Sequence, residues 1–177
     1  MEPLYLNGDN LSVASLVEAA QGRQVALAPE VAPRLARSRQ VVEDIVSQGQ
    51  VAYGINTGFG RLANVNIEPQ RLRDLQRNLI LSHASGVGEY VSPQVVRAMI
   101  ALRVNALAKG FSGCRLELLE ALLAMLNKGI VPRVPSRGSV GASGDLAPLA
   151  HMALALLGEG EVTYEGATCK AAEALQR

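Results

Sequence analysis

Tryptophan is absent from this chain of 177 residues, and the three aromatic residue types together make up only 3% of it. The apolar residues, 49% of the total, are therefore mostly leucine, valine, isoleucine and alanine. Leucine and alanine favour helices, whereas β-sandwiches draw on aromatic and β-branched side chains. We expect a mainly α-helical fold, in a chain long enough to build a real core.

The chain also lacks an excess of charge of either sign, because it has 17 basic and 16 acidic residues and a net charge of +1. This balance gives no electrostatic reason to expect nucleic acid or an anionic membrane as a partner. Histidine is scarce as well. His83 and His151 lie far apart and show no H-E-x-x-H spacing, so we expect no metal site.

Long apolar runs and a secretory signal are lacking too. The first residues contain no basic segment followed by an apolar run. The most apolar segment, residues 146–157, is shorter than the ~20 residues that span a bilayer. We therefore expect a cytoplasmic protein that crosses no membrane, with Cys114 and Cys169 as free, reduced thiols.

Start and stop signals delimit a series of helices. Ser12 and Ser92 are N-cap residues, Pro93 occupies a first helical position, and Gly22, Gly49, Gly110 and Gly129 follow helix ends. The predicted helical segments lie within residues 12–22, 27–49, 68–88, 92–110, 113–129 and 146–157. Prolines make residues 130–136 extended, and residues 160–171 predict a hairpin that turns at Glu165-Gly166.

Two glycine-rich stretches interrupt this pattern. "YGINTGFG", residues 53–60, predicts an irregular loop after a short strand, with Tyr53 as a half-buried strand aromatic. "GSVGASGD", residues 138–145, matches neither G-x-G-x-x-G nor G-x-S-x-G, and it lacks the Lys-Ser/Thr pair of a P-loop. On local features alone it is a tight turn capped by Ser143 or Asp145.

Three separated segments change that interpretation: "YGINTGFG", "LQRNLILSHASGVG" (residues 75–88) and "GSVGASGDLAPLAHM" (residues 138–152). In this order they resemble the N-terminal third of the histidine ammonia-lyase branch of the aromatic amino-acid ammonia-lyase family. The last seven residues begin a helix that has no stop signal. We therefore expect residues 1–177 to be a single N-terminal segment of a longer ammonia-lyase, cut within a helix and inactive alone.

The resemblance implies a built-in cofactor, 4-methylideneimidazole-5-one, formed from Ala142, Ser143 and Gly144, with no metal or nucleotide. The residue types suit this chemistry. The Gly144 nitrogen is unhindered for attack on the Ala142 carbonyl carbon, and the Ser143 hydroxyl leaves as water to create an electrophilic methylidene. Asp145 either orients the loop for ring closure or only caps the following helix.

The resemblance also assigns roles to residues of the first two segments. Tyr53 is the base that removes the β-proton of the substrate, and Asn56, Thr57, Gly58, Phe59 and Gly60 form a mobile loop over the site. His83 contacts the substrate imidazole, with a locally satisfied helix-end histidine as the alternative. His151 is expected to be structural, because its neighbours in the sequence are apolar.

The implied reaction converts L-histidine to urocanate and ammonia, in a homotetramer whose active sites draw on several subunits. Either the substrate amine or its imidazole ring attacks the methylidene, and the sequence leaves both schemes open. Two other functions also stay open. One is a tyrosine or phenylalanine ammonia-lyase or a related aminomutase, and the other is a non-catalytic helical interaction module.

Overall fold

A computed structural model of the protein describes residues 2–138 and 146–177. Helices dominate, which confirms the expected mainly α fold. In chain order they are α1 (Val13–Ala20), α2 (Val31–Ser47), α3 (Leu72–His83), α4 (Pro93–Ala108), α5 (Leu116–Lys128), α6 (Leu146–Leu156) and α7 (Ala171–Leu175). Short 3-10 turns lie at Gly60–Leu62 and Pro69–Arg71.

The strands are short and form three small sheets. They are β1 (Leu4–Leu6), β2 (Val25–Leu27), β3 (Val87–Tyr90), β4 (Val131–Pro132), β5 (Pro135–Arg137), β6 (Glu161–Tyr164) and β7 (Ala167–Lys170). β1 pairs with β2 in parallel, β3 pairs with β5 antiparallel, and β6 lies between β4 and β7 in an antiparallel sheet. The strands therefore join neighbouring helices rather than form a layer of their own.

Helix α4 lies at the centre of the core and packs against α1, α2 and α5. Apolar residues occur on more than one of its faces, as in a helix that is surrounded by others. The side chains that it buries are Val96, Ile100, Ala101, Val104, Leu107 and Ala108. Leu119, Leu122 and Leu126 of α5 and Val31 and Leu35 of α2 complete the same cluster.

Polar side chains attach the helix ends and strands to this core. The Arg97 guanidinium donates to the carbonyl oxygens of Ala19, Ala20 and Leu126 at 3.1, 3.0 and 2.8 Å. These carbonyls end α1 and α5, where backbone oxygens lack partners within the helix and a positive charge is favourable. Desolvation lowers the pKa of Arg97, but a guanidinium stays charged at neutral pH.

Two asparagines bind backbone in the same way. The Asn127 side chain accepts from the Val25 N–H at 2.9 Å and donates to the Val25 carbonyl at 2.8 Å, so it pairs with β2 as a strand would. Asn105 makes the equivalent pair of bonds with Gly8, at 3.1 and 3.2 Å. These amides satisfy backbone groups of Gly8, which lies outside the strands, and of Val25 in β2.

The local signals in the sequence located most helix ends. The Ser12 side chain accepts from the Ser15 N–H, Ser92 accepts from the Val95 N–H, and Gly129 is left-handed at φ 73°. The hairpin turns at Glu165 and Gly166, which have φ of 50° and 78°. Positive φ at both central residues matches the right-handed twist of the flanking strands. Both cysteines are free thiols, as expected.

Two helix boundaries were wrong, and in both cases strand pairing is the cause. The helix predicted from residue 27 begins at Val31, because Val25–Leu27 pair with β1. The helix predicted to continue to residue 88 ends at His83, because Val87–Tyr90 pair with β5. Both pairings join segments that are distant in the chain, so no local pattern reports them.

None of the helices in residues 2–138 and 146–177 combines the length and apolar content that a membrane crossing requires.

Replacing Arg97 with methionine should lower the free energy of unfolding of the native full-length protein by about 2–3 kcal/mol, because three charge-assisted hydrogen bonds are lost. Denaturant unfolding followed by circular dichroism measures this change. Arg103 is exposed on the same helix, so Arg103→Met is the control and should change stability by less than about 0.5 kcal/mol. Equal effects of both substitutions would show that the capping bonds contribute nothing.

Candidate active site

The second and third of the three family-like segments, residues 75–88 and 138–152, come together at the described residues of each. Helix α3, which carries His83 at its end, packs along α6. Directly after α3, β3 pairs with β5, whose register partners include Val87 with Arg137. The turn between α3 and β3 therefore lies beside the chain that enters residues 139–145 and beside the helix that leaves them.

Gly86 and Gly138 make the closest part of this contact. A Cβ on Gly138 would lie 2.9 Å from the Ala147 Cβ and 3.1 Å from the Gly86 Cα. A Cβ on Gly86 would lie 3.1 Å from Nε2 of His151 and 3.2 Å from the Pro135 Cβ. Real Cβ atoms rarely approach other atoms so closely, because the interior is already at close packing. Glycine is therefore required at position 138, whereas a side chain at position 86 would displace the His151 ring and Pro135 by a few tenths of an ångström.

Residues 139–145 lie outside the described part of the chain. This segment contains Ala142, Ser143, Gly144 and Asp145, so their predicted roles remain predictions. Its two flanks are described. Gly138 follows β5, and Leu146 begins α6.

His83 ends α3 as a half-buried side chain. Its Nδ1 lies 2.8 Å from the Leu79 carbonyl oxygen and 3.1 Å from Oγ of Ser82. A carbonyl oxygen only accepts, so Nδ1 carries the proton, and in the neutral ring Nε2 is left as an acceptor. The Ser82 hydroxyl donates to the same Leu79 carbonyl at 2.9 Å. The ring is thus oriented through Nδ1, with Nε2 available for another partner.

His151 lies on α6 and accepts a hydrogen bond at Nε2 from the Gly86 N–H, at 3.0 Å. Desolvation lowers the pKa of His151 from its ordinary value of 6.5, which favours the neutral ring. Acceptance at Nε2 places the ring proton on Nδ1. The expected structural role is consistent with this bond, but the sequence did not indicate the partner. The apolar neighbours of His151 in the sequence indicate a buried helix, but they carry no information about the turn that packs against it.

Asn56 and Thr57 fasten the first glycine-rich loop from within. Both are buried, with 5% and 1% of their surfaces exposed. The Asn56 side chain accepts from the Ala52 N–H at 2.9 Å and donates to the Gln50 carbonyl at 2.7 Å. Thr57 donates its hydroxyl proton to the Gly58 carbonyl and forms an isolated antiparallel bridge with Asn66.

The strand predicted before this loop is absent, and Tyr53 is not a half-buried strand aromatic. Tyr53 lies in a turn with 67% of its surface exposed. The reason is the Asn56 side chain, which occupies the Ala52 N–H and the Gln50 carbonyl that a neighbouring strand would use. Gly54, at φ 79°, turns the chain at the same point.

The remaining loop residues lie close to Tyr53. The Phe59 ring contacts the Tyr53 ring edge-to-face, with centroids 5.9 Å apart. The Gly58 N–H donates to the Val65 carbonyl at 3.1 Å, and Gly60 begins a 3-10 turn. Within the described residues, no hydrogen bond joins the stretch 51–67 to residues 83–90 or 146–177. The structure therefore links His83 to the flanks of residues 139–145, and it forms no such link to Tyr53.

No cluster of three or more histidine, cysteine, aspartate or glutamate side chains that could hold a metal ion occurs in the part of the chain that the structure describes.

A model of the aromatic amino acid lyases matches residues 11–177 of the chain. The chain belongs to this family. It is 49% identical to the histidine ammonia-lyase of Vibrio cholerae over 174 residues, which are 98% of this chain and 34% of that protein. The chain thus spans about a third of the length of the curated relatives that it matches.

Solved structures agree with this assignment. The structure of histidine ammonia-lyase from Trypanosoma cruzi has a TM-score of 0.91 and 39% identity, over 99% of this chain and 34% of that one. Ergothionase from Treponema denticola, an ergothioneine-degrading enzyme solved with desmethyl-ergothioneine sulfonic acid, has a TM-score of 0.95 and 34% identity over 99% of this chain and 35% of that one.

Replacing Asn56 with alanine should loosen the Tyr53 loop, because two buried hydrogen bonds worth about 1–3 kcal/mol in total are lost. Hydrogen exchange of the amides of residues 50–58 in the native full-length protein measures this change, and the exchange should be faster. Gln50→Ala is the control, since only the backbone carbonyl of Gln50 bonds to Asn56. Unchanged exchange in Asn56→Ala would contradict the assigned role.

Proposed function

We propose that these residues are the N-terminal part of a histidine ammonia-lyase, which converts L-histidine to urocanate and ammonia. The observation that carries the proposal is the identity of about half of all residues with histidine ammonia-lyases over nearly the whole chain. The orientation of His83 agrees with this choice of substrate. An acceptor at Nε2 complements the N–H of a substrate imidazole, which the side chains of tyrosine and phenylalanine lack.

The residues around the proposed cofactor fit its formation. Ala142, Ser143 and Gly144 would form 4-methylideneimidazole-5-one, which supplies an electrophilic methylidene that no ordinary side chain offers. The close contacts of Gly138 with Gly86 and Ala147 support this assignment, because they hold both flanks of the segment within one packed region. Fixed ends reduce the conformational entropy that a loop loses when two of its backbone atoms must meet.

Helix α6 adds an electrostatic contribution. It begins at Leu146, two residues after Gly144 of the proposed ring, and its N-terminal amides carry partial positive charge. Positive potential at this end favours negative charge that develops on the proposed cofactor. Asp145 would either orient the loop or cap this helix.

Tyr53 is the proposed base for the β-proton of the substrate, with Asn56, Thr57, Gly58, Phe59 and Gly60 as the loop that carries it. Its large exposure in this chain supports a site completed by other parts of the protein. Val51 and Leu62 lie on the same segment and are each 60% exposed. Exposed apolar side chains of this kind are often covered by another part of the protein or by another subunit. We accordingly propose a homo-oligomer for the full-length protein, and no activity for residues 1–177 alone.

Assaying the full-length protein with histidine, tyrosine and phenylalanine tests the substrate through the absorbance of each unsaturated product. Histidine should be the best substrate. Preferred turnover of tyrosine or phenylalanine, or formation of a β-amino acid, would replace the proposal with an aromatic ammonia-lyase or an aminomutase. If the protein turns over none of these amino acids, the remaining alternative is a non-catalytic interaction module.

Ser143→Ala should abolish most of the activity, because alanine has no hydroxyl to lose and so provides no methylidene. Intact mass of the full-length protein is the second measurement. The unaltered chain should be lighter than its sequence mass by two water molecules, and the variant should not lose both. Ser112→Ala, at an exposed position, is the control and should keep activity and mass loss. Full activity of Ser143→Ala would refute the assigned electrophile.

Tyr53→Phe should lower kcat by about 10²–10⁴, the range of general base catalysis. Ring formation should continue, so the intact mass should still show the loss of both waters. Tyr5→Phe, at a tyrosine on β1, should leave kcat unchanged. A kcat of Tyr53→Phe equal to that of the unaltered protein would remove the tyrosine from the mechanism.

A further inference from the structure

Three segments of the proposed site meet at one backbone amide. Gly86 lies between the end of α3, where His83 is placed, and the start of β3. Its neighbours are Pro135 on the chain that enters residues 139–145, Gly138 at the end of that chain, and His151 on the helix that leaves them. The position of Gly86 therefore sets the distance between His83 and both flanks of the segment.

The His151 imidazole makes the directional bond in this contact. Its Nε2 accepts from the Gly86 N–H at 3.0 Å, while the other close contacts are van der Waals contacts of glycine backbone. Such contacts are weakly attractive and have no preferred direction, whereas the hydrogen bond fixes both distance and direction. His151 is thus the side chain that holds the turn of residues 84–86 against α6.

We propose that His151 is a positioning residue, whose neutral imidazole fixes Gly86 and thereby holds His83 at a set distance from Gly138 and Leu146, the described flanks of residues 139–145. The role of His83 in substrate binding rests on the function proposed above. The hydrogen bond and its effect on the turn do not rest on it.

The bond requires a neutral ring, because protonation would place a second N–H at Nε2 opposite the N–H of Gly86. The burial that lowers the pKa of His151 favours this form. Three ionisable groups line a cavity of about 250 Å³ with the ring: Tyr90, Arg133 and Glu161. Arg133 stacks over the Tyr90 ring, 4.0 Å from its centroid, and its Nε lies 3.7 Å from Glu161.

Other charged groups on the elements packed against α6 have partners of their own or lie outside this cavity. On α3, Arg77 pairs with Glu159, and Nδ1 of His83 bonds to the Leu79 carbonyl. The remaining charged residues on these elements lie outside the cavity. They are Arg73 and Asp74 of α3, Arg137 of β5 and Glu173 of α7. Glu161 is the carboxylate in the cavity, and Arg133 beside it offsets its attraction for a protonated ring.

Two substitutions at this position separate the bond from the volume of the side chain. His151→Leu removes the acceptor and keeps an apolar side chain. His151→Gln keeps an acceptor oxygen at about the distance of Nε2 from the backbone but does not titrate between pH 5 and 8. Each variant is made in the native full-length protein and compared with the unaltered protein.

The first measurement is hydrogen exchange of the Gly86 amide, corrected for intrinsic rates. Exchange should be about tenfold faster in His151→Leu, the effect of losing one hydrogen bond, and near the unaltered rate in His151→Gln. Lowering the pH below the pKa of His151 should remove the protection in the unaltered protein and not in His151→Gln. Protection that is equal in all three proteins would overturn the proposal.

The second measurement is steady-state kinetics with histidine, together with intact mass. His151→Leu should raise KM about tenfold with a smaller change in kcat for the fraction that has lost both waters, and His151→Gln should restore KM. An unchanged KM in His151→Leu, with exchange accelerated, would overturn the link to His83. If the unaltered protein does not act on histidine, the proposed function fails, while the exchange result still decides whether His151 holds Gly86.

Discussion

The proposed site depends on the close approach of backbone at Gly86 and Gly138. Because neither residue has a Cβ, the turn after α3 reaches the chain before residues 139–145 and the helix after them. An added methyl group at either place would meet atoms that are already in contact, and close-packed interiors transmit such a displacement to their neighbours. The same elements are also joined by the antiparallel pairing of β3 with β5 and by the packing of α3 on α6.

The core supplies the rigidity behind that contact. Helix α4 is enclosed by α1, α2 and α5, so its register is specified on several sides at once. Arg97, Asn105 and Asn127 then bind backbone groups at the ends of α1 and α5, at Gly8 and in β2. These bonds join the ends of elements to the core, and unsatisfied backbone groups in their place would be costly. Among the described residues, the core cluster contains no residue of the stretch 51–67, where Tyr53 is 67% exposed.

The chain spans about a third of the length of related ammonia-lyases, and it contains the residues proposed for substrate binding and for the electrophile. His83 is oriented by bonds within α3, whereas among the described residues Tyr53 has an edge-to-face contact with Phe59 and lies in an internally bonded loop. The two proposed functional groups are therefore organised to different degrees by residues 1–177.

Local patterns in the sequence determined the helical class of the fold, the caps at Ser12 and Ser92, the stop at Gly129 and the hairpin turn at Glu165-Gly166. Each of these depends on interactions within about one turn of helix or strand. The three segments at residues 53–60, 75–88 and 138–152 also indicated the family. The tertiary structure alone decided the pairing of β1 with β2 and of β3 with β5 and the bond from Gly86 to His151. Those features join residues far apart in the chain, and their energy comes from contacts that no local pattern contains.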